Sequence, residues 1–355
     1  MEEAFFTLTT TKLGWKICAI EYTNMAMTVK DVALRSGVST ATVSRVLNRD
    51  PRISAETSER VRRVMAEIGY APNHFARGLK TSKSFTVGFL APEFLNEFFM
   101  GIAQGVETRL RDDRFSLVIC SSSERPEEEK ARLETLLNQG VEGLIVIPSG
   151  ASGRHLETAS ARGVPVVLVD RTVEDFATDA VLVDNINGTY QALEILLLKG
   201  YRRIGFLGGN QNLTSARERY DGYRRALDDY RVVPDPTLVR FGDFHSQSGY
   251  ELMGQLMQLS EPPPWVFVSN YFMHLGATRY LMEHRDTLQV TPSIVSFDEM
   301  ELSFTLGYCR MIIRQPIRDI GTRAAEFLLS RISGEYHAGP RLARLKTELF
   351  FNAID

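Results

Sequence analysis

Cysteine is nearly absent from this chain. Cys18, Cys120 and Cys309 are the only three in 355 residues, odd in number and widely scattered. They form neither a disulfide framework nor a metal-ligand spacing, which fits a reducing cytosol. The six histidines include no HExxH pair. No apolar run approaches the roughly 18 residues of a spanning helix. The apolar stretch Ile17–Ile20 is too short for the core of a signal peptide. A phosphate loop is missing as well, because GFLGGN at 205–210 lacks the GxxxxGK(S/T) arrangement and a lone glycine-rich turn is weak evidence. No nucleophile elbow occurs. These absences argue against an enzyme, and an exported solute-binding protein would need the signal peptide that is lacking. The expected cofactor and metal content is none.

What is present begins with a charge asymmetry. The whole chain carries 41 Lys and Arg against 44 Asp and Glu, a net of −3. Residues 27–84 hold eleven basic side chains against five acids, a net of +6. A basic head on an acidic body is expected of a polyanion-binding domain joined to something else, with DNA the favoured polyanion. The length suggests two or three domains, and 44% hydrophobic with 24% charged residues is ordinary for a globular chain. Residues 1–26 fit poorly with the basic head next to them. They are expected to be a flexible extension, or to precede a true start at Met25 or Met27.

Within the head, Thr28 to Asn48 reads TVKDVALRSGVSTATVSRVLN. Thr28 can cap a first helix, with Asp31 where a capping carboxylate belongs. Val32 and Ala33 face inward, and Gly37 ends the helix where a left-handed residue is needed. Ser39 can cap a second helix, whose Val43, Val46 and Leu47 point inward at helical spacing. That leaves Thr40, Ala41 and Arg45 outward, the layout of a helix-turn-helix that offers its second helix to a major groove. Ser54 starts a third helix to about Gly69, with Val61, Val64, Met65 and Ile68 inward and Arg60, Arg62 and Arg63 on a solvated face. Tyr70, Pro72 and Asn73 break it. In NHFARGLKTSKS, residues 73–84, Asn73 could cap a short helix carrying Ala76 and Leu79 beside Arg77 and Lys80. Such a short helix is marginal in water.

From Phe85 the pattern changes to apolar runs alternating with helices. TVGFLAP, FSLVICSS, EGLIVIPS, VPVVLVD, AVLVDN, RIGFLGG, WVFVSN and SIVSFD read as buried parallel strands. Helices are expected over 100–112, 127–139, 188–199, 217–230 and 246–258. That alternation means a parallel sheet with right-handed crossovers, whose strand ends carry a ligand. Asp170, Asn270 and Asp298 stand at such ends, and Arg219 begins the helix after GFLGG. Carboxylates and an amide can pair with hydroxyls, and an arginine can hold two adjacent oxygens.

VKDVALRSGVSTATVSRVLN and GYAPNHFARGLKTSKS together resemble the LacI/GalR family of bacterial transcription regulators. DNINGTYQALEILLLKGYRRIGFLGG and RQPIRDIGTRAAEFLLSRI extend the resemblance over about 27–350. It implies a small all-α helix-turn-helix head on an α/β, two-lobed periplasmic-binding-protein-like core with parallel sheets. The implied divisions are a head at 27–72, a hinge helix at 73–84 and an effector and dimerisation core at 85–355. Within that core an N-lobe spans about 85–184 and 314–343, and a C-lobe about 185–313 and 344–355. By the same match Thr40, Ala41 and Arg45 read bases, while Thr28, Ser39, Thr42, Ser44 and Asn48 touch phosphates. Asn73, Ala76, Arg77, Leu79 and Lys80 enter the minor groove as a hinge, with Leu79 wedged into a base step. Phe98, Phe99, Asp170, Arg219, Phe244, Asn270, Asp298 and Gln315 are implied effector contacts. Three departures stand out: Gly78 where bulkier residues are usual, Tyr201 for a frequent histidine, and Tyr271 for an aspartate, where a tyrosine near the cleft could alter its shape. The expected protein is a cytoplasmic, homodimeric repressor of operator DNA, nucleoid-associated when bound, with no membrane contact and a sugar-like effector. The resemblance admits both inducer and corepressor logic.

Overall fold

The computed structural model describes residues 27–47, 50–70, 83–299, 303 and 307–351. The expected extension 1–26 and most of the hinge, 71–82, lie outside them. The chain divides into two compact units, at Met1–Lys80 and Thr81–Asp355.

The described head is three helices, α1 (Val29–Ser36), α2 (Thr40–Leu47) and α3 (Ala55–Glu67). Val32, Ala33, Val43, Val46, Val61 and Val64 form one buried cluster, edged by Leu47, Met65 and Ile68. Each fully buried valine contributes about 1.5–3 kcal/mol of transfer free energy, so these few side chains are what closes so small a unit. The ends are set as the residues dictate. Thr28 N and Oγ1 both donate to Asp31 Oδ2, at 2.8 and 2.7 Å. Gly37 sits at φ 67°, a left-handed position that a side chain would strain. The third helix stops at Glu67, two residues short of the expected Gly69, which turns the chain with φ 64°.

The second unit holds two six-stranded sheets. The first is built from β1 (Thr86–Ala91), β2 (Ser116–Ser121), β3 (Gly143–Val146), β4 (Val166–Val169), β5 (Asp179–Val183) and β11 (Leu342–Leu345), in spatial order β2-β1-β3-β4-β5-β11. The second uses β6 (Ile204–Gly208), β7 (Val239–Phe241), β8 (Trp265–Val268), β9 (Ser293–Phe297), β10 (Cys309–Arg314) and β12 (Glu348–Phe351), in order β7-β6-β8-β9-β10-β12. Every pairing is parallel except β10 with β12. The two lobes therefore repeat one doubly wound order, which puts a ligand crevice at the carboxyl ends of the strands. Among the described residues eight α-helices connect the strands: α4 (Glu97–Asp112), α5 (Pro126–Asn138), α6 (Glu157–Ala161), α7 (Asn185–Leu198), α8 (Thr214–Asp229), α9 (Ser246–Met257), α10 (Tyr271–His284) and α11 (Ile317–Ile332).

Three differences from the sequence reading have plain causes. FSLVICSS forms β2, but as an edge strand whose residues are exposed or half-buried, because no strand covers its outer side. The strands β7, β10, β11 and β12 were not foreseen; LARL and ELFF place Arg344 and Glu348 in pairing positions at a sheet edge, where charge blunts the hydrophobic signal. The lobe crossings also shift. Arg314 closes the last parallel strand of the second sheet, and β11 carries the first sheet to Leu345 rather than 343. The chain thus crosses between lobes three times: from β5 to α7, from β10 to α11, and from β11 to β12.

Candidate functional site

Two surfaces of the described chain carry the expected residues. In the head, Val43 and Val46 turn α2 inward, so Thr40, Ala41, Ser44 and Arg45 are exposed on its other side. Ser39 Oγ accepts the Thr42 N–H at 3.1 Å and meets Thr42 Oγ1 at 3.0 Å, which fixes the start of that helix. Thr28 and Ser39 are exposed and Thr42 is half-buried. Arg60, Arg62 and Arg63 are all solvent-facing on α3. Asn48, Asn73, Ala76, Arg77, Leu79 and Lys80 lie outside the described residues.

The second surface is a cleft between the lobes, holding about 480 Å³ of empty space with its mouth included. Its lining brings together Phe98, Phe99, Asp170, Arg219, Phe244, Asn270 and Asp298 from both lobes. Gln315 stands behind Asp298, to which its Nε2 donates. Lining residues that sequence reasoning missed are Glu93, Asn96, Glu124, Arg171, Ser215, His245 and Phe272. Arg171 follows Asp170 directly and could have been found by reading one residue further; Ser215 and Phe272 stand in the first turns of α8 and α10, and the others come from loops or a helix cap that only the lobe arrangement brings together.

Strain marks this cleft. Eight described non-glycine residues have φ between +51° and +73°, and four of them, Glu124, Asp170, Phe244 and Asp298, line it. Each such conformation costs on the order of 1–3 kcal/mol, and it persists where the surroundings hold a side chain in a required direction. Phe244 is also permitted by Gly209, because a side chain there would collide with its ring.

The polar network is dense. Arg171 Nε donates to Asp170 Oδ2 at 3.1 Å and its Nη1 to Glu124 Oε1 at 2.8 Å. Burial alone would lower the Arg171 pKa, but Glu124 and Asp170 outweigh it and raise it. Arg219 Nε donates to Asn185 Oδ1 at 2.9 Å and Nη1 to the Ser269 carbonyl at 2.6 Å, and its guanidinium lies 3.8 Å from the Phe297 ring centre. Burial lowers the Arg219 pKa, against Asp298 and Asp170. Burial likewise raises the Asp298 carboxyl, opposed by Arg219 and Gln315. Asn270 both caps α10, accepting the Met273 N–H at 2.9 Å, and donates to the Phe244 carbonyl at 2.9 Å. Phe98 and Phe99 pack edge to face at 5.4 Å and belong to the first lobe's core as well as to the cleft wall.

Two tyrosines do not do what the sequence suggested. Phe272 rather than Tyr271 lines the cleft, while Tyr271 packs on the first lobe's apolar cluster. Tyr201 precedes β6, at the opposite end of the strand from the cleft, with its ring on Trp265 at 5.6 Å. Among the described residues no group of His, Cys, Asp and Glu could hold a metal ion, and no helix is long and apolar enough to cross a membrane.

Comparison with known proteins covers both the head and the core. Residues 28–73 match the bacterial regulatory proteins of the lacI family, and 84–307 match the periplasmic binding proteins and sugar binding domain of the LacI family. The chain is 30% identical over 311 residues to the HTH-type transcriptional repressor PurR of Vibrio atlanticus (strain LGP32), covering 87% of this chain and 93% of that one. It is similar to the solved transcriptional regulator CelR–cellobiose complex, at 30% identity, TM-score 0.68, and coverage of 91% of this chain and 98% of that one. It is also similar to the lac repressor dimer bound to operator and the anti-inducer ONPF, at 29% identity, TM-score 0.76, and coverage of 91% and 97%. These relatives are transcriptional regulators rather than enzymes. With head and core each matched in chain order, the chain belongs to the LacI family of bacterial regulatory proteins.

Proposed function

We propose that this chain is a sequence-specific transcription repressor that binds operator DNA as a homodimer, under the control of a small sugar-like effector held between the lobes. The observation that carries it is the convergence of Asp170, Asn270 and Asp298, from three different strand ends, and of Arg219, from α8, on one strained cleft. The exposed face of α2 supports the DNA half of the reading. Arg45 can make the bidentate contact to guanine, worth about 1–3 kcal/mol of discrimination, whereas Thr40 and Ala41 reach at most a thymine methyl or one hydrogen bond. Thr28, Ser39, Thr42, Ser44 and Asn48 are the residue types that hold phosphates. Asn73, Ala76, Arg77, Leu79 and Lys80 complete the contact as a hinge. The lac repressor relative is a dimer on operator, and the CelR relative carries cellobiose.

The mechanism is a two-state linkage. An effector that prefers one arrangement of the lobes changes operator affinity by the ratio of its own affinities for the two arrangements. The test starts with selection from random duplexes. A two-fold symmetric site should be enriched, and Arg45→Ala should weaken it about 10- to 100-fold while relaxing one guanine position. Enrichment of no symmetric site, or equal binding by the variant, overturns the reading.

A further inference from the structure

The cleft is unevenly charged, and its arginines are partly occupied. Glu93, Glu124, Asp170 and Asp298 face it against Arg171, Arg219 and His245. Two nitrogens of Arg171 are taken by Asp170 and Glu124, and two of Arg219 by Asn185 and the Ser269 carbonyl. Among the buried side-chain carboxylate and amide oxygens, two acceptors are left over. Asp170 Oδ1 and Gln315 Oε1 are buried and have no hydrogen-bond partner among the described residues. Asp170 is 4% exposed and Gln315 3%. A buried acceptor without a donor is costly, so a ligand that brings hydroxyl or ammonium hydrogens gains there. A carboxylate or phosphate brings only acceptors and meets carboxylates in a poorly solvated space, where like charges repel strongly.

We propose that the cleft takes an uncharged or amine-bearing polyhydroxylated ligand and turns away carboxylated and phosphorylated ones. This rests on the cleft being the effector site. Specificity then has two parts. Asp170 Oδ1 requires a donor, and Glu124 keeps Arg171 from serving as an anion clamp.

Matched sets of compounds test it on the full chain. Glucose, glucosamine, glucuronate and glucose 6-phosphate form one set; ribose with ribose 5-phosphate, cellobiose with cellobionate, and adenosine with its 5′-monophosphate form the others. Each is scored by thermal shift and then calorimetry against the natural chain and Arg219→Ala. If circular dichroism shows Arg219→Ala to be unfolded, Phe272→Ala, at a half-buried position of the same wall, replaces it. Every compound whose binding depends on the cleft should be neutral or amine-bearing, with its acidic counterpart at least tenfold weaker. Glu124→Gln, which loosens the hold on Arg171, should narrow that gap. An acid or phosphate that binds through the cleft as tightly as its neutral counterpart overturns the inference. If no compound in any set shows cleft-dependent binding, the effector-site reading itself fails, and this inference with it.

Discussion

His245, in the loop after β7, lies 3.2 Å through Nε2 from Glu93 Oε1 in the loop after β1, so one hydrogen bond joins the lobes across the mouth of the cleft. Burial disfavours the protonated ring, but Asp243 and Glu93 outweigh it, and His245 holds its proton to a higher pH than a free histidine. The contact is then fully charged below about pH 6.5 and is lost as pH rises through the raised value. Separation of the lobes, read from spin labels on α4 and α9 by pulsed dipolar spectroscopy, should broaden between pH 6 and 8.5. In His245→Gln the distribution should be broad and flat with pH; an identical pH response in the variant removes His245 from the account. The pair is half exposed, so the effect is a shift in population and not a loss of fold.

His274 behaves in the opposite sense. It is fully buried in α10, neither ring nitrogen has a partner among the described residues, and burial lowers its pKa to about 4. The native ring therefore binds its proton less readily than the unfolded one. Stability is intact above about pH 6.5 and falls as pH drops towards 4, by about 3 kcal/mol at full effect. Urea unfolding at pH 7 and 4.5 should show about 2 kcal/mol less pH loss in His274→Leu than in the natural chain. Equal losses would mean that the ring finds a proton acceptor.

Asp179 anchors the returning chain. Its carboxylate, 1% exposed, accepts from Arg331 Nη2 at 2.8 Å and from Arg341 N at 2.8 Å. Burial alone would raise its pKa, but the two arginines outweigh that and hold it at about 2. Its contribution is present above about pH 4 and is lost as pH falls through about 2, a window below that of His274. Asp179→Asn at pH 7 should cost about 2–4 kcal/mol of unfolding free energy, because two guanidiniums lose their counter-charge. A cost below about 0.5 kcal/mol would show that β11 holds its place without the clamp.

The head offers a local test. Ser39→Ala removes the oxygen that caps the Thr42 N–H and should destabilise the head by about 1 kcal/mol, whereas Ser39→Gly should cost only a few tenths. Thermal melts of the full chain, followed by a probe in the head, separate the two; equal melts for both variants would assign the cap to another group.

The head was readable because its signals are local. Thr28, Asp31, Gly37 and Ser39 act within four residues of themselves, and periodicity places Val43 and Val46. The two-lobed sheets were readable from apolar runs, and the strand-end positions of Asp170, Asn270 and Asp298 followed from them. Glu124 and His245 were not, since each reaches the cleft from a loop whose position depends on long-range packing. The edge strands escaped because Arg344 and Glu348 sit where a solvated edge tolerates charge. Tyr271 misled because the wall is made by Phe272, one helical step away.

The order in which the chain crosses between lobes has a consequence for its synthesis. Strands β1 to β5 emerge early, yet α11, which packs on α4, and β11, which pairs with β5, are made only after most of the second lobe. At ribosomal speeds of about 5–20 residues per second, the first lobe stays unfinished on the order of ten seconds, with the apolar side of α4 and the outer edge of β5 uncovered. Nascent chains of this protein are therefore expected to need shelter at those two places until the final strands arrive.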